Sequence, residues 1–278
     1  MNGRQFLAGL LAVLAVALGL VGGVARYVDQ RVVQPDAFAQ SALDALDRAA
    51  VRAAVADEIA ARVVERVPVE LVPRAQVRRV ADRVVATRAF RRTFRARALE
   101  ANRVLFSGDD DAAAATLSLG DLTPAFDAID PRLAPLLGDS AEQRLLTLRT
   151  DTLGVGTARL GDAASTLGTV GPLLAALALI AALLISPRRL AVVRIAALGS
   201  VLAGALLLAG LSVGRAFALD RAEASAGITV AQARDAVGAA WDVYLDGLRP
   251  WALAAIAVGL VLTALTLLPA AFGRRERT

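Results

Sequence analysis

The sequence predicts an all-α membrane protein with four transmembrane helices and a mainly helical extracytoplasmic domain between the first two spans. First, 56% of its 278 residues are hydrophobic and its mean hydropathy is +0.56, values too high for an ordinary soluble domain. Second, the chain contains four apolar runs of about 20 residues, the length that a helix needs to cross a hydrocarbon core of ~30 Å. Third, arginines collect at alternate ends of these runs, as they do beside the cytoplasmic loops of membrane proteins.

The first segment, residues 1–28, has a short polar start with Arg4 and then an apolar run. Gly23 and Ala25 have the spacing of a signal-peptide cleavage site, so a cleaved signal peptide is the alternative interpretation. The run is longer than the roughly 7–15 apolar residues of a signal peptide, which favours an uncleaved membrane anchor.

Residues 163–214 form a predicted transmembrane hairpin that contains the second and third spans. A short basic turn, residues 186–189, separates two runs without charged residues. Short cytoplasmic loops collect arginine, so this turn is expected in the cytoplasm and orients the whole chain. Residues 250–278 hold the fourth span and a basic tail. The arginines expected to mark the cytoplasmic side are Arg4, Arg188, Arg189, Arg274, Arg275 and Arg277.

This topology predicts a multi-pass protein of the plasma membrane, with both termini cytoplasmic and the large loop outside the cytoplasm. All the tryptophans and tyrosines of the chain fall near the predicted outer ends of spans one and four. Amphipathic rings of this kind are enriched at membrane–water interfaces. The predicted membrane-interface anchors are Tyr27, Trp241, Tyr244 and Trp251.

The interiors of the four spans contain no Asp, Glu, Lys or His. Ion-coupled transporters carry such residues at their coupling sites, so their absence argues against that class of protein. Arg194 lies close enough to the basic turn for its side chain to be expected at the interface. In the first span, Ala15, Gly19 and Gly23 recur every four residues, a face that suits close helix packing, although composition alone also explains the spacing.

Residues 29–162 form the external domain, which is predicted to be mainly helical. Asp36 is expected to cap one helix, and Asp47 to start the next. A single longer helix is expected over residues 74–106, because apolar residues and Thr87 recur there at steps of three and four.

Two further features of the external parts are predicted from local patterns. Alternation of polar and apolar residues at 116–119 and at 145–148 indicates a small two-stranded β element. Residues 215–249 form a second, smaller external segment, in which Thr229 is expected to cap an amphipathic helix. This smaller segment lies on the same side of the membrane as the large loop in the predicted topology.

The external domain is electrically polarised along the sequence. Residues 74–103 contain ten arginines and two acidic residues, whereas residues 104–162 contain four arginines and ten acidic residues. The basic stretch is a candidate contact for anionic lipid headgroups or envelope polymers. The alternative interpretations are a basic helix that pairs with the acidic segment, and a solvated face. The candidate contact residues are Arg78, Arg79, Arg88, Arg91, Arg92 and Arg95.

The composition argues against most catalytic chemistry. The chain has no cysteine and no histidine, which removes thiol chemistry, the commonest general base and the commonest metal ligand. The acidic run 109–111 lacks the spaced ligands of an EF-hand loop, and no phosphate-binding or hydrolase motif is present. We therefore expect no enzyme activity, no cofactor and no metal site. All 31 basic residues are arginines with a topological explanation, so nucleic acid is not an expected partner.

Several features of the sequence form a pattern that extends over nearly the whole chain. They are Phe38, Ala42, Leu43, Val51, Val55, Ala56 and Ile59, the segments 108–111, 119–124 and 148–153, the turn 187–189, and Arg249 with Pro250. With this pattern the chain resembles a group of uncharacterised actinobacterial integral membrane proteins. The resemblance implies a common topology and origin, and it carries no assigned activity. The sequence departs from the group at Ala49, where its members tend to have Asp-Pro.

These observations predict a non-enzymatic integral membrane protein of the cell envelope. Its expected role is interaction, scaffolding or service as an accessory subunit through the external domain. The alternative is a permease-like or mechanotransmission subunit that works with a separate ATPase. The expected partners are the lipid bilayer and other envelope or membrane proteins, and the sequence leaves the oligomeric state open.

Overall fold

A computed structural model describes residues 3–64, 74–106, 115–118, 120–127, 129, 144–148, 157–225 and 230–272. In chain order the elements are α1 (Gly3–Val28), which continues as a π-helical turn (Asp29–Val33), α2 (Pro35–Leu46), α3 (Ala49–Val64), α4 (Arg74–Val85), α5 (Arg88–Phe106), β1 (Ala115–Ser118), a 3-10 turn (Gly120–Leu122), α6 (Thr123–Asp127), β2 (Arg144–Leu148), α7 (Thr157–Ile185), α8 (Arg189–Ser225), α9 (Val230–Leu245) and α10 (Leu248–Phe272).

The chain divides into two compact units, each assembled from separate parts of the sequence. The membrane unit comprises Met1–Gln30, Asp162–Gly214 and Leu245–Thr278. The polar unit comprises Arg31–Gly161 and Arg215–Tyr244.

Four helices are long and apolar enough to cross a membrane, by length and composition. They are Gly3–Val33, Arg159–Ile185, Arg189–Glu223 and Leu248–Leu267, and they correspond to the four predicted spans. The chain is therefore a helical protein of the multi-pass membrane class.

The third of these helices is longer than the sequence pattern predicted. The apolar run ends at Gly214, but α8 continues to Ser225 and has 37 residues. At 1.5 Å per residue it is about 55 Å long, well beyond a hydrocarbon core of ~30 Å. Residues 215–225 contain Ala, Leu, Arg and Glu but no proline, so nothing in their intrinsic preference ends the helix there.

Glycines bring the membrane helices together in two close pairs. A Cβ on Gly22 of α1 would lie 2.8 Å from Pro172 Cδ of α7. A Cβ on Gly204 of α8 would lie 2.6 Å from the Ala252 carbonyl oxygen of α10. Small residues allow the helix backbones to come this close. In lipid, where no hydrophobic effect drives helices together, the van der Waals contacts of such close packing stabilise the pair. On α1 the close contact is made by Gly22, one residue before the predicted Gly23.

The opposite half of the membrane unit, near the basic turn, has a packed core. Ala8 and Ala12 of α1 are buried with Ala182 of α7 and Val192 of α8. Arg194 Nη2 donates a 2.7 Å hydrogen bond to the Thr266 carbonyl oxygen of α10. Thus the Arg194 side chain, which the sequence places near the interface, also joins the third and fourth spans.

The glycine contact between α8 and α10 can be tested by adding one methyl group. Gly204→Ala is expected to lower the thermal stability of the detergent-purified protein, because the helices must separate, at a cost of about 1–3 kcal/mol. Gly210→Ala is the matched control, since a Cβ there meets no heavy atom within 4 Å. It should be neutral or slightly stabilising, because alanine favours helices over glycine. Equal melting curves for both variants would contradict this packing.

The polar unit has its own hydrophobic core, built mainly by helix pairs. α3 packs on α4, and α2 packs on α5. Phe90 of α5 is completely buried, and its ring stacks on that of Phe94 with centroids 5.9 Å apart. Phe126 of α6 is also buried in this core. The remaining buried core residues are Leu46, Ala56, Ile59, Ala60, Val63, Val77, Val80, Ala81, Val84, Val85 and Ala125.

Three local expectations for these helices were wrong in detail. The predicted helix over residues 74–106 is broken at Thr87, whose hydroxyl oxygen accepts a hydrogen bond from the Phe90 N–H and caps α5. Asp36 does not cap α2, because Pro35 occupies the first turn and the capping residue is Gln34. Asp47 ends α2 instead of starting α3. Thr and Asp occur both at the starts and at the ends of helices. Their positions in the sequence therefore did not show which helix, if any, each residue begins or ends.

Two short strands complete the described part of the polar unit. β1 and β2 pair antiparallel, with Thr116 opposite Thr147 and a register shift between Leu117 and Ser118. They coincide, within a residue, with the segments 116–119 and 145–148 that alternate in polarity.

The smaller polar segment is integrated into the polar unit by contacts distant in sequence. Gln232 Nε2 of α9 donates a 3.0 Å hydrogen bond to Asp57 Oδ2 of α3. The Tyr244 ring packs 5.7 Å from the Phe38 ring of α2, and its hydroxyl donates to the Phe38 carbonyl oxygen at 3.3 Å. The predicted cap Thr229 lies outside the described residues.

Candidate functional site

The six candidate arginines lie on α4 and α5, and three of them form ion pairs with aspartates of α2, α3 and the turn between them. Arg78 pairs with Asp57 of α3 and, at 3.4 Å, with Asp82 of its own helix. Arg91 binds both carboxylate oxygens of Asp47, the second at 3.1 Å. A third pair, at 3.2 Å, joins Arg95 to Asp36 of α2.

These pairs identify the acidic partners of the basic stretch. The aspartates come from α2, α3 and the turn between them, whereas the partner considered from the sequence was the acidic segment 104–162. One contact of that kind is described, a 2.6 Å ion pair between Arg97 and Asp121. Hydrogen bonding to Arg91 holds the pKa of Asp47 below its ordinary value. Because both members are partly exposed, each such pair contributes at most about 1 kcal/mol to stability, but it neutralises a charge.

The remaining arginines of the set keep their charge available. Arg79 Nε donates to the Ala75 carbonyl oxygen of its own helix at 3.3 Å. Arg88 and Arg92 are exposed, and the described residues provide neither of them with an ion pair. Together with Arg91 they border a shallow, open depression of the surface, which we call the arginine cleft.

The arginine cleft lies at the start of α5, which adds to its positive potential. Arg88 is the first residue of this helix, and Thr87 caps it. The first turn of a helix carries a partial positive charge from its unsatisfied N–H groups. Arg91 is neutralised by Asp47, so the surplus charge of the cleft comes from Arg88 and Arg92. An anionic group is the ligand chemistry that this arrangement favours.

The four predicted interface aromatics have different environments. Trp251 of α10 has 69% of its surface exposed, as a lipid-facing or interfacial ring would. Tyr27 lies against the backbone of Gly247, where a Cβ would be 2.6 Å from the phenolic oxygen. Trp241 is half-buried, and Tyr244 packs on Phe38 inside the polar unit.

The environment of Tyr244 predicts a pH-dependent stability. Burial raises the pKa of Tyr244 to about 12, with a smaller effect of the Asp44 carboxylate. In the unfolded chain the phenol titrates near 10. Between these values the unfolded state binds fewer protons than the folded state, so stability falls as the pH rises. In urea unfolding we expect the free energy of unfolding to fall by about 1 kcal/mol by pH ~11, and we expect no such fall in Tyr244→Phe. If the free energy of unfolding of that variant falls equally with pH, Tyr244 is not the cause of the pH dependence.

The predicted topology arginines are distributed over helix ends and turns. Arg4 is exposed in the first turn of α1. Arg188 and Arg189 are exposed where α8 begins. Arg274, Arg275 and Arg277 lie outside the described residues. Within the ranges that the structure describes, no group of three or more His, Cys, Asp or Glu side chains is placed to hold a metal ion.

Comparisons with protein-family models, with curated proteins and with solved structures give no match to this chain. The resemblance to actinobacterial membrane proteins therefore stays a prediction from the sequence.

Proposed function

We propose that this chain is a non-enzymatic integral membrane protein of the bacterial cell envelope, related in origin to the actinobacterial group that it resembles. Its polar unit serves as an interaction surface in a scaffold or accessory-subunit role. The membrane unit holds that surface at the plasma membrane, with the polar unit outside the cytoplasm and both termini inside.

The arginine cleft is the observation that carries this proposal. Arg78, Arg91 and Arg95 are neutralised within the polar unit, so they act in its internal structure. Arg88 and Arg92 add two charges at a concave, exposed position next to a helix start. Arg88 and Arg92 do not stabilise the polar unit, because like charges four residues apart on a helix repel each other. Binding of an anionic partner explains why such a pair is useful.

The orientation has a direct test, because the chain contains no native cysteine. Asp235→Cys and Arg189→Cys place single thiols at exposed positions in α9 and at the start of α8. In intact cells an impermeant maleimide should label the first and not the second, while both should react after the membrane is opened. Labelling of Arg189→Cys alone in intact cells would invert the proposed topology.

The interaction role is tested by crosslinking in native membranes, followed by mass spectrometry of the purified full chain. The double variant Arg88→Glu and Arg92→Glu should lower the yield of crosslinked envelope partner at least tenfold, because an anionic partner is then repelled from the cleft instead of attracted to it. The double variant Arg48→Glu and Arg83→Glu makes the same change in net charge at exposed positions outside the cleft, and it should retain the partner.

Two results of this experiment would contradict the proposal. Equal recovery of the partner with both double variants would show that net charge, and not the cleft, determines binding. A stoichiometric cytoplasmic ATPase, recovered equally with wild type and both variants, would favour the permease-like alternative.

A further inference from the structure

The membrane unit contains a cavity in one half of its helix bundle. Near the basic turn the helices close on the core around Ala12 and Val192. Toward the other end, all four membrane helices line a cavity of about 650 Å³. Glycine contacts close the α1–α7 pair and the α8–α10 pair, and α1 touches α8 where a Cβ on Gly199 would lie 3.3 Å from Val16.

Small side chains create this cavity. Ala15, Gly19 and Gly23, the face predicted to pack against another helix, line the cavity on α1. On α8 and α10 the lining includes Ala203 and Ala255. These residues leave space because no large side chain of the bundle fills it. A volume of several hundred cubic ångströms lies in the range of ligand pockets, roughly 300–1,000 Å³.

The cavity lining is apolar along its length and cationic at one end. The lining residues far from Arg26 include Ala15 of α1 and Leu262 of α10, and the lining contains no acidic residue. At the other end the lining includes Arg26, Tyr27 and Gln30. Arg26 is exposed, and no ion pair engages its side chain within the described ranges. The occupant that fits this distribution has a long apolar part and an anionic end.

The length of the cavity suits a hydrocarbon chain. From Ala15 to Gln30 the cavity follows about 22 Å of α1, at 1.5 Å per residue. A flexible hydrocarbon chain is long enough to occupy this space.

We propose that this cavity is a lipid-binding site that holds an acyl chain of an anionic membrane phospholipid, with its phosphate next to Arg26. The apolar lining replaces the neighbouring lipid tails around the chain, and the guanidinium forms charge-assisted hydrogen bonds with the phosphate. A bound lipid fills the space that the four membrane helices leave between them. This site is independent of the arginine cleft and of the proposed interaction role.

The test uses the full chain in phosphatidylcholine vesicles that contain a little phosphatidylglycerol with a photoreactive diazirine in its acyl chain. After irradiation, mass spectrometry locates the adducts. Adducts are expected on cavity residues such as Ser200, Ala203 and Leu207. Ala255→Phe fills the cavity and should lower these adducts to the level of lipid-facing residues. Ala254→Phe is the matched control, because Ala254 is exposed and does not line the cavity, and it should label as wild type does.

The headgroup is tested by exchanging the probe and the cation. A phosphatidylcholine probe with the same diazirine should label the cavity less than phosphatidylglycerol does. Arg26→Gln should reduce the preference for phosphatidylglycerol about fivefold, the effect of one basic residue at an anionic surface. Arg4→Gln, at the opposite end of α1, should leave the preference unchanged.

The possible results separate binding from loss of structure. Each variant is first compared with wild type by gel filtration in detergent, and Ala176→Phe, which fills the cavity from α7, replaces Ala255→Phe if the latter does not fold. Cavity adducts that survive both filling variants would overturn the site. Equal labelling by the two probes would overturn the anionic headgroup. Crosslinks between two copies of the chain through cavity residues would replace the lipid with a protein occupant.

Discussion

Replacement of Phe90 by alanine is expected to destabilise the polar unit by about 3–5 kcal/mol, a large part of the 5–15 kcal/mol that typical domains possess. The Phe90 side chain is fully buried, stacks on Phe94 and belongs to the core that joins α3, α4 and α6. Its removal leaves a cavity among helices that pack in pairs, and the loss of transfer free energy adds to the cavity term.

The measurement uses the two tryptophans of the chain. Trp241 belongs to the polar unit and Trp251 to the membrane unit, so Trp251→Phe leaves a single reporter of the polar unit. In that background, urea unfolding of the full chain in lipid nanodiscs gives the change in free energy. Phe217→Ala is the matched control, because 64% of the Phe217 surface is exposed. It should cost less than ~1 kcal/mol. Similar losses for both variants would contradict the central position of Phe90.

The elements that the sequence predicted well are those set by local physical chemistry. Membrane spans depend on length and apolar composition, so each was visible in a single stretch of sequence. The third helix shows the limit of this reasoning, since polarity marked the end of the apolar run at Gly214 but not the end of the helix at Ser225. Polar residues with high helix propensity end a span without ending a helix.

The candidate site was predicted in part. The arginine stretch itself was evident from charge, but the neutralised members depend on contacts with Asp47 and Asp36, which lie 44 and 59 residues away from Arg91 and Arg95. The cavity was not predicted. Its signal was present in Ala15, Gly19 and Gly23, but small residues allow either close packing or a gap. Whether small residues pack closely or line a cavity depends on which residues of the partner helix face them. A single sequence does not show which residues these are.

Replacement of Leu206 by aspartate is expected to prevent normal membrane insertion of the third span. The Leu206 side chain lies in the uncharged part of α8 with 59% of its surface exposed, so in a bilayer it faces lipid. A carboxylate near the centre of a span costs about 2.5–3.5 kcal/mol on insertion scales, which lowers the ratio of inserted to non-inserted segments about 100-fold. Leu206→Ala removes the same side chain without adding a charge, and it should insert normally.

Phe217→Asp separates the effect of the bilayer from the effect of a new charge on the helix. Phe217 is also exposed on α8, but it lies among Arg215, Asp220 and Arg221 beyond the uncharged run. Outside the hydrocarbon core an additional carboxylate stays hydrated, so this variant should insert as wild type does. The inserted fraction is measured by carbonate extraction, together with maleimide labelling of Asp235→Cys in each background. If Leu206→Asp inserts as well as Phe217→Asp, the uncharged part of α8 does not cross the membrane, and the four-span arrangement fails at its longest helix.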